Sequence, residues 1–377
     1  MELSSQAIGV LKKVRRFFIG IGRVLANLGK VYAYAYNPKL ALSYYPDQPR
    51  KSKLKIYFEN LWWLICHQEI NEFYYVYGFD RAESIDTRGY MDYLSFRKLR
   101  DRANSGARMA FRHVDYRCLL SDKFAFSQYL TSLGFATPRI VALCDSGSIT
   151  WLDKDKSEPW NSLLNGEKKD YFLKDLTGQC AEGVYHIEVD NGKILMNGQT
   201  ATLDDLRGRI KGMWFIQQRL FQHQKMAKLH SSSVNCVRLV TTYTNGIATP
   251  FSALLRIGAH GACCDNWASG GILCGVELAS GKVSKYGFFK PGYGGRVERH
   301  PETGVVFDGY EIPHFQKAVD TALRLHRFLY GIHSIGWDIA IGENGPVFIE
   351  GNDNWEISMH QLHDGGLKRQ FLDTLSK

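Results

Sequence analysis

From residue 8 onward the apolar side chains Leu11, Val14, Phe18, Ile21, Leu25 and Leu28 recur at steps of three and four, the spacing of one helix face. Between them stand Lys12, Lys13, Arg15, Arg16, Arg23 and Lys30, so residues 1–36 read as a basic amphipathic helix. No run of 18 apolar residues occurs in the chain, so no membrane-spanning helix is expected. Residues 37–117 are rich in Tyr, Trp and Arg and read as mainly helical, with Tyr74, Tyr75 and Tyr77 expected in a core. The pattern changes at Ser121. Residues 122–133 read as a helix on Phe124, Phe126, Tyr129, Leu130 and Leu133, with Gly134 as its C-terminal cap. Thr137-Pro138 opens a strand at 139–143, and 144–170 reads as a polar, turn-rich loop. Strands are expected at 171–174, 214–220 and 234–243, a helix at 313–328, and a strand hairpin over 336–352. Strands and helices interleave, which gives an α/β or α+β class.

The 377 residues suffice for two or three subdomains, and 45% hydrophobic with 23% charged residues is ordinary globular composition. The net charge of +9 is unevenly placed. Residues 1–55 hold eleven Lys or Arg against Glu2 and Asp47, a surplus that equals the whole chain's net charge. The remainder is neutral, which argues against a nucleic-acid binder with a basic folded surface. The eight cysteines include no CxxC pair, and Cys66-His67 lacks a second pair at zinc spacing, so reduced thiols are expected. The scattered His223, His230, His300, His360 and His363 are expected at the surface.

The strongest chemical signal lies in 336–352. With a three-residue turn Glu343-Asn344-Gly345 and Gly345 left-handed, 342 opposes 346, and by the same sum Asp338 opposes Glu350. Asn352, two residues on, shares their face, while Ile339, Ile341, Val347 and Ile349 are expected in a core on the other. Like carboxylates placed opposite each other are destabilising without a cation between them. Two carboxylates and an amide oxygen suit Mg2+.

This Asp…Glu-x-Asn arrangement on a terminal hairpin resembles the metal site of the ATP-grasp superfamily. The wider strings Gly336-Trp337-Asp338-Ile339-Ala340, Gly345-Pro346 with Ile349-Glu350-Gly351-Asn352, and His300-Pro301-Glu302-Thr303-Gly304 resemble its sugar-transfer-associated branch, over roughly residues 118–365. The resemblance implies an ATP-grasp fold: two α+β subdomains holding ATP between them, preceded by a mainly helical N-terminal region. It implies that Lys123, in Ser121-Asp122-Lys123, and Lys174, at the end of a strand, touch ATP phosphates. The loop from Gly178 to Gly183 would close over those phosphates. In Phe215-Ile216-Gln217-Gln218-Arg219-Leu220 the resemblance assigns Gln217, Gln218 and Leu220 to the nucleoside. The family usually has an acid at Gln218, and no clear acid is present for the ribose, where His223 or Gln224 would substitute. It places Arg238, Arg256 and Asn266, the last before Gly270-Gly271, between γ-phosphate and acceptor.

The division expected is 1–36, 37–117, 118–220 with the lysines and glycine loop, and 221–377 with the metal residues Asp338, Glu350 and Asn352. The function implied is an ADP-forming carboxylate–amine ligase using ATP and Mg2+. By analogy with the branch's name, its substrates include a sugar acid or a lipid-linked saccharide. A kinase on the same fold and a non-catalytic, membrane-docked ATP-binding protein are the rival readings. No nucleic-acid partner is expected. A cytoplasmic protein with peripheral contact at the inner membrane face through residues 8–36 is.

Overall fold

The computed structural model describes residues 5–83, 85–106, 115–154, 156–176, 183–262, 264–329 and 331–375. Its main helices are α1 (Ser5–Tyr36), α2 (Lys53–His67), α3 (Tyr93–Asn104), α4 (Lys123–Ser132), α5 (Phe315–His326), α6 (Ile357–Asp364) and α7 (Lys368–Leu375). The strands are β1 (Ile140–Cys144), β2 (Ser148–Trp151), β3 (Lys156–Pro159), β4 (Lys169–Asp175), β5 (Val184–Asp190), β6 (Lys193–Met196), β7 (Gln199–Ala201) and β8 (Trp214–Gln218). They continue with β9 (Cys236–Thr244), β10 (Ile247–Ile257), β11 (Ile272–Val276), β12 (Val283–Phe289), β13 (Arg296–Val297), β14 (Ser334–Gly342) and β15 (Gly345–Asn352).

The chain forms two compact units. The first comprises Met1–Arg100, Phe288–Val297 and Glu356–Ser376, and the second Asp101–Gly287 and Glu298–Trp355. In the first unit α1 packs along α2, and Gly20, Val31 and Ala35 are buried. Residues 68–92 carry only a short 3-10 turn (Thr87–Gly89) between α2 and α3. Aromatic packing orders them instead. Tyr74, Tyr75, Tyr77 and Phe79 are buried, and Phe79 meets Tyr90 edge-on at 4.8 Å. Gln361 on α6 fastens this stretch, accepting from Met91 N at 2.7 Å and donating to Met91 O at 3.1 Å.

The second unit holds two antiparallel sheets. The first has the order β3-β2-β1-β8-β4-β5-β6-β7 and a core of alternating residues such as Ala142, Ile149, Trp151, Leu173, Ile187 and Ile216. The expected loop at 144–170 is therefore replaced by β2, β3 and a 3-10 turn at Trp160–Leu164. Only Ile149 and Trp151 point inward on β2, so its period-2 signal is weak among Ser and Asp. α4 begins where Asp122 accepts from Ala125 N at 2.8 Å. It ends in a Schellman arrangement: Gly134 has φ +76°, its N–H reaches Thr131 O, and Phe135 N–H reaches Leu130 O.

In the second sheet the strands β11, β10, β9, β14 and β15 lie side by side in that order. The turn joining β14 and β15 differs from expectation. Gly342 pairs with Gly345, Ile341 with Pro346 and Ile339 with Phe348, so the turn has two residues, Glu343-Asn344. Gly345 has φ +134° rather than the left-handed value. Between Ile339 and Asp338 the register shifts, and Asp338 faces Glu350. Ile349 is the extra residue of a β-bulge, which offsets the shorter turn. The core face is accordingly Trp337, Ile339, Ile341 and Phe348, all fully buried. Val347 and Ile349, expected there, are half-buried outside it.

Candidate active site

The register places four chemically matched residues in line on one face of the second sheet. Arg238 on β9 faces Asp338 on β14, and Asp338 faces Glu350 on β15. Two residues further on β15 lies the fourth, Asn352, opposite Gly336. In the other direction Arg256 on β10 faces Cys236 on β9. Period 2 puts all of these on the same face.

Arg238 grips Asp338 with both ends of its fork. Its Nε donates to Oδ1, and its Nη2 to Oδ2 at 2.9 Å. Arg256 Nη1 donates to the same Oδ2 at 3.0 Å. Burial alone would raise the Asp338 carboxyl, but the two guanidinium groups outweigh it and hold the group well below the usual carboxylate range. Glu350 goes the other way. Burial, the charge of Asp338 and their mutual hydrogen bond push it up to about 7. Asn352 Nδ2 donates to Glu350 Oε1 at 3.3 Å and to Gly336 O at 3.4 Å.

These residues fit a divalent cation. The donor set is two carboxylates and an amide, all hard oxygen ligands, and a cation there would relieve the repulsion between Asp338 and Glu350. Asp338, Glu350 and Asn352 would hold it. Among the described residues no group of three or more His, Cys, Asp or Glu forms a metal cluster.

Lys174, at the end of β4, reaches this region from the first sheet. Its Nζ donates to Gln217 Oε1 at 2.7 Å. Burial lowers its pKa to about 8, with Glu350 opposing the shift and Lys123 and Cys236 also felt. Lys123, the first residue of α4, and Glu350 are thus within electrostatic reach of Lys174. Gln217 is buried on β8, and its Nε2 also donates to Pro138 O at 3.4 Å. Gln218 is exposed, and its N–H donates to Arg139 O at 2.8 Å. Leu220 is half-buried just past β8. Gly183 has φ +66°, and its carbonyl accepts from Asp175 N at 3.0 Å. Gly178 lies outside the described residues.

Asn266 Oδ1 accepts from Ala268 N at 3.0 Å and caps the 3-10 turn Trp267–Ser269. Its neighbour Asp265 joins the cluster through Arg256. It is buried, its Oδ1 accepts from Arg256 Nη2 at 3.0 Å, and its Oδ2 accepts from Cys236 N at 3.0 Å. Sequence reasoning missed Asp265, although it stands one residue before the motif that was singled out. Glu343 was also missed. It accepts from Gln224 N at 2.9 Å and lies 3.5 Å from His223 Nε2, which brings an acid beside the two expected ribose contacts.

The expected surface placement of the histidines fails for His230, His300 and His360, which are buried. His300 has a structural task. Its Nδ1 accepts from the N–H groups of Glu302 and Thr303 at 3.3 Å, so Nε2 carries the proton and donates to Gly258 O at 2.8 Å. The His-Pro-Glu-Thr-Gly string is thus a turn stapled to the end of β10.

Among solved structures the chain is similar to a D-alanine–D-alanine ligase from Bacillus anthracis, with 12% identity, 69% of this chain and 67% of that chain covered, and a TM-score of 0.35. A biotin carboxylase β-γ-ATP complex from Campylobacter jejuni gives 10%, 66%, 44% and 0.39. An N5-carboxyaminoimidazole synthase from Aspergillus clavatus, in complex with ADP and 5-aminoimidazole ribonucleotide, gives 8%, 63%, 45% and 0.35. The chain spans less than half the length of the last two. No curated protein sequence matches. The family model described as sugar-transfer associated ATP-grasp matches residues 111–375, and the chain belongs to that family.

Proposed function

We propose that the protein is an ATP-dependent carboxylate–amine ligase that forms an acyl phosphate and releases ADP and phosphate. The observation that carries this reading is the single sheet face holding Asp338, Glu350 and Asn352 beside Arg238 and Arg256, with Lys174 within electrostatic reach. Lys123, Lys174 and the loop from Gly178 to Gly183 bind the triphosphate, and Gln217, Gln218 and Leu220 receive the nucleoside. Mg2+, held by Asp338, Glu350 and Asn352, supplies charge neutralisation at the β- and γ-phosphates when bound. A substrate carboxylate oxygen attacks the γ-phosphorus in line, and the bond to the β,γ-bridging oxygen breaks as ADP leaves. The amine nitrogen then attacks the acyl carbon, loses a proton and expels phosphate. Arg238 and Arg256 are fixed cations placed to stabilise the anionic adduct. Asp338 and Asp265 hold them in position, so little reorganisation is needed during reaction.

The family's association with sugar transfer favours a sugar acid or a lipid-linked saccharide among the substrates, and a place in polysaccharide or cell-surface glycan modification. Mass spectrometry of products from ATP and a pooled library of amino acids and sugar acids tests the reading. An amine-dependent condensation product is expected. A stable phosphorylated product formed without amine would assign a kinase instead.

A further inference from the structure

The first unit carries an apolar surface that the proposed chemistry does not use. On α1 the side chains of Ile21, Leu25, Leu28 and Tyr32 fall on one stripe, and Leu25 and Tyr32 are 62% and 61% exposed. The buried residues Val31 and Ala35 lie to one side of that stripe. α2 has a second stripe, with Leu54, Phe58, Trp62 and Ile65 exposed at 58%, 56%, 68% and 52%. Ile56, Asn60 and Leu64 are buried on the opposite side of that helix.

The two stripes adjoin. Gly20 lies against Gln68, and Tyr36 against Tyr57, so the helices run antiparallel. A chain of ring contacts crosses between them: Tyr32 to Tyr36 at 4.8 Å, Tyr36 to Tyr57 at 6.4 Å and Tyr57 to Phe58 at 5.5 Å. More than half of the exposed large apolar side chains among the described residues belong to positions 14–65. An apolar patch of this kind marks an interaction site.

We infer that the α1–α2 pair is a docking surface for an anionic lipid bilayer. Charge complementarity selects that occupant. Positions 3–46 contain seven Lys or Arg and no acid. Arg15 is exposed beside the apolar stripe of α1, while Arg23 and Lys30, exposed on its far side, line a cavity with Glu69, Glu72, Asp92 and Glu356. Exposed Lys53 and Lys55 flank the stripe of α2, whose one acid, Glu59, is neutralised by Lys51 at 2.9 Å. Apolar and aromatic residues on one side of a helix with cations on the other is the pattern of a helix lying in a membrane interface. Among the described residues no helix is long and apolar enough to cross a membrane. The surface extends the sequence-based expectation, since α2 contributes Trp62 and Phe58 on an equal footing with α1. It stands independently of the ligase reading.

Flotation of the full chain with phosphatidylcholine vesicles, with and without phosphatidylglycerol, tests the inference. The variant carrying Phe58→Ser, Trp62→Ser and Ile65→Ser changes only exposed positions. Binding is expected to the anionic vesicles, to fall with salt, and to drop about tenfold or more in the variant. Recovery of the full chain in the lipid-free fraction, or equal binding by both proteins, would overturn it. So would light scattering that shows a lipid-free dimer abolished by the same substitutions, because a second copy would then be the occupant.

Discussion

Asp338 and Glu350 face each other across the β14–β15 ladder, and the pair divides its labour: Asp338 stays ionised against two arginines while Glu350 keeps a proton up to about pH 7. The two acids differ because both guanidinium groups hydrogen-bond Asp338, whereas on Glu350 burial and the Asp338 charge outweigh them.

Glu350→Gln removes a charge with little change in volume. Its expected effect is a fall in turnover of about 10²-fold or more, with circular dichroism and thermal unfolding close to the parent, since the carboxyl packs no core. Full activity of the variant at low Mg2+ would rule Glu350 out as a metal ligand.

Arg238→Lys keeps the positive charge but cannot reproduce the two-pronged grip on Asp338. A loss of about 10²–10³-fold in kcat is expected, while Arg256 continues to neutralise Asp338 and preserves the fold. An unchanged kcat in steady-state assays would mean the fork serves structure alone.

With Lys174 at the triphosphate, as proposed, nucleotide binding depends on pH. Its pKa in the folded protein is lowered by burial to about 8. Between about 8 and the ordinary lysine value the unfolded chain holds a proton that the folded chain lacks, so this residue's contribution to stability rises with pH across that window. Phosphate next to the amine restores the charged form. Nucleotide binding at pH 8.5 should therefore take up protons, and affinity should fall as pH rises above 8. Calorimetry in two buffers of different ionisation enthalpy measures the uptake; zero uptake or proton release would separate Lys174 from the phosphates.

Gly336 owes its place to Trp355. A Cβ at Gly336 would lie 2.7 Å from Trp355 Cβ, an atom close to the backbone that cannot swing away, and 3.7 Å from Arg238 Cδ. Gly336→Ala should cost about 1–3 kcal/mol of stability while leaving Arg238, at ordinary contact distance, in place. Denaturant unfolding that matches the parent would show that the hairpin yields without strain.

The sequence made the central pair legible by a route that was only half right. A three-residue turn brings Asp338 opposite Glu350, and the molecule reaches the same pairing with a two-residue turn and a bulge at Ile349. Bulges leave no compositional mark, so the assignment of Val347 to the core failed where Phe348 took its place. Helix caps were legible, as at Asp122 and Gly134, because they depend on local hydrogen bonds. β2 and β3 were not, because short strands in polar sequence are fixed by pairing with β1. Asp265 and Glu343 join the site through contacts distant in sequence, with Arg256 and with Gln224, and single-chain pattern reading does not see such contacts.

Activation of a carboxylate by attack on the γ-phosphorus, as proposed, leaves a defined pair of products. Chromatographic separation of the nucleotides formed during substrate-dependent turnover tests it directly. ADP and phosphate are expected in equal amounts, lost together in Glu350→Gln. AMP and pyrophosphate as the turnover products would contradict it.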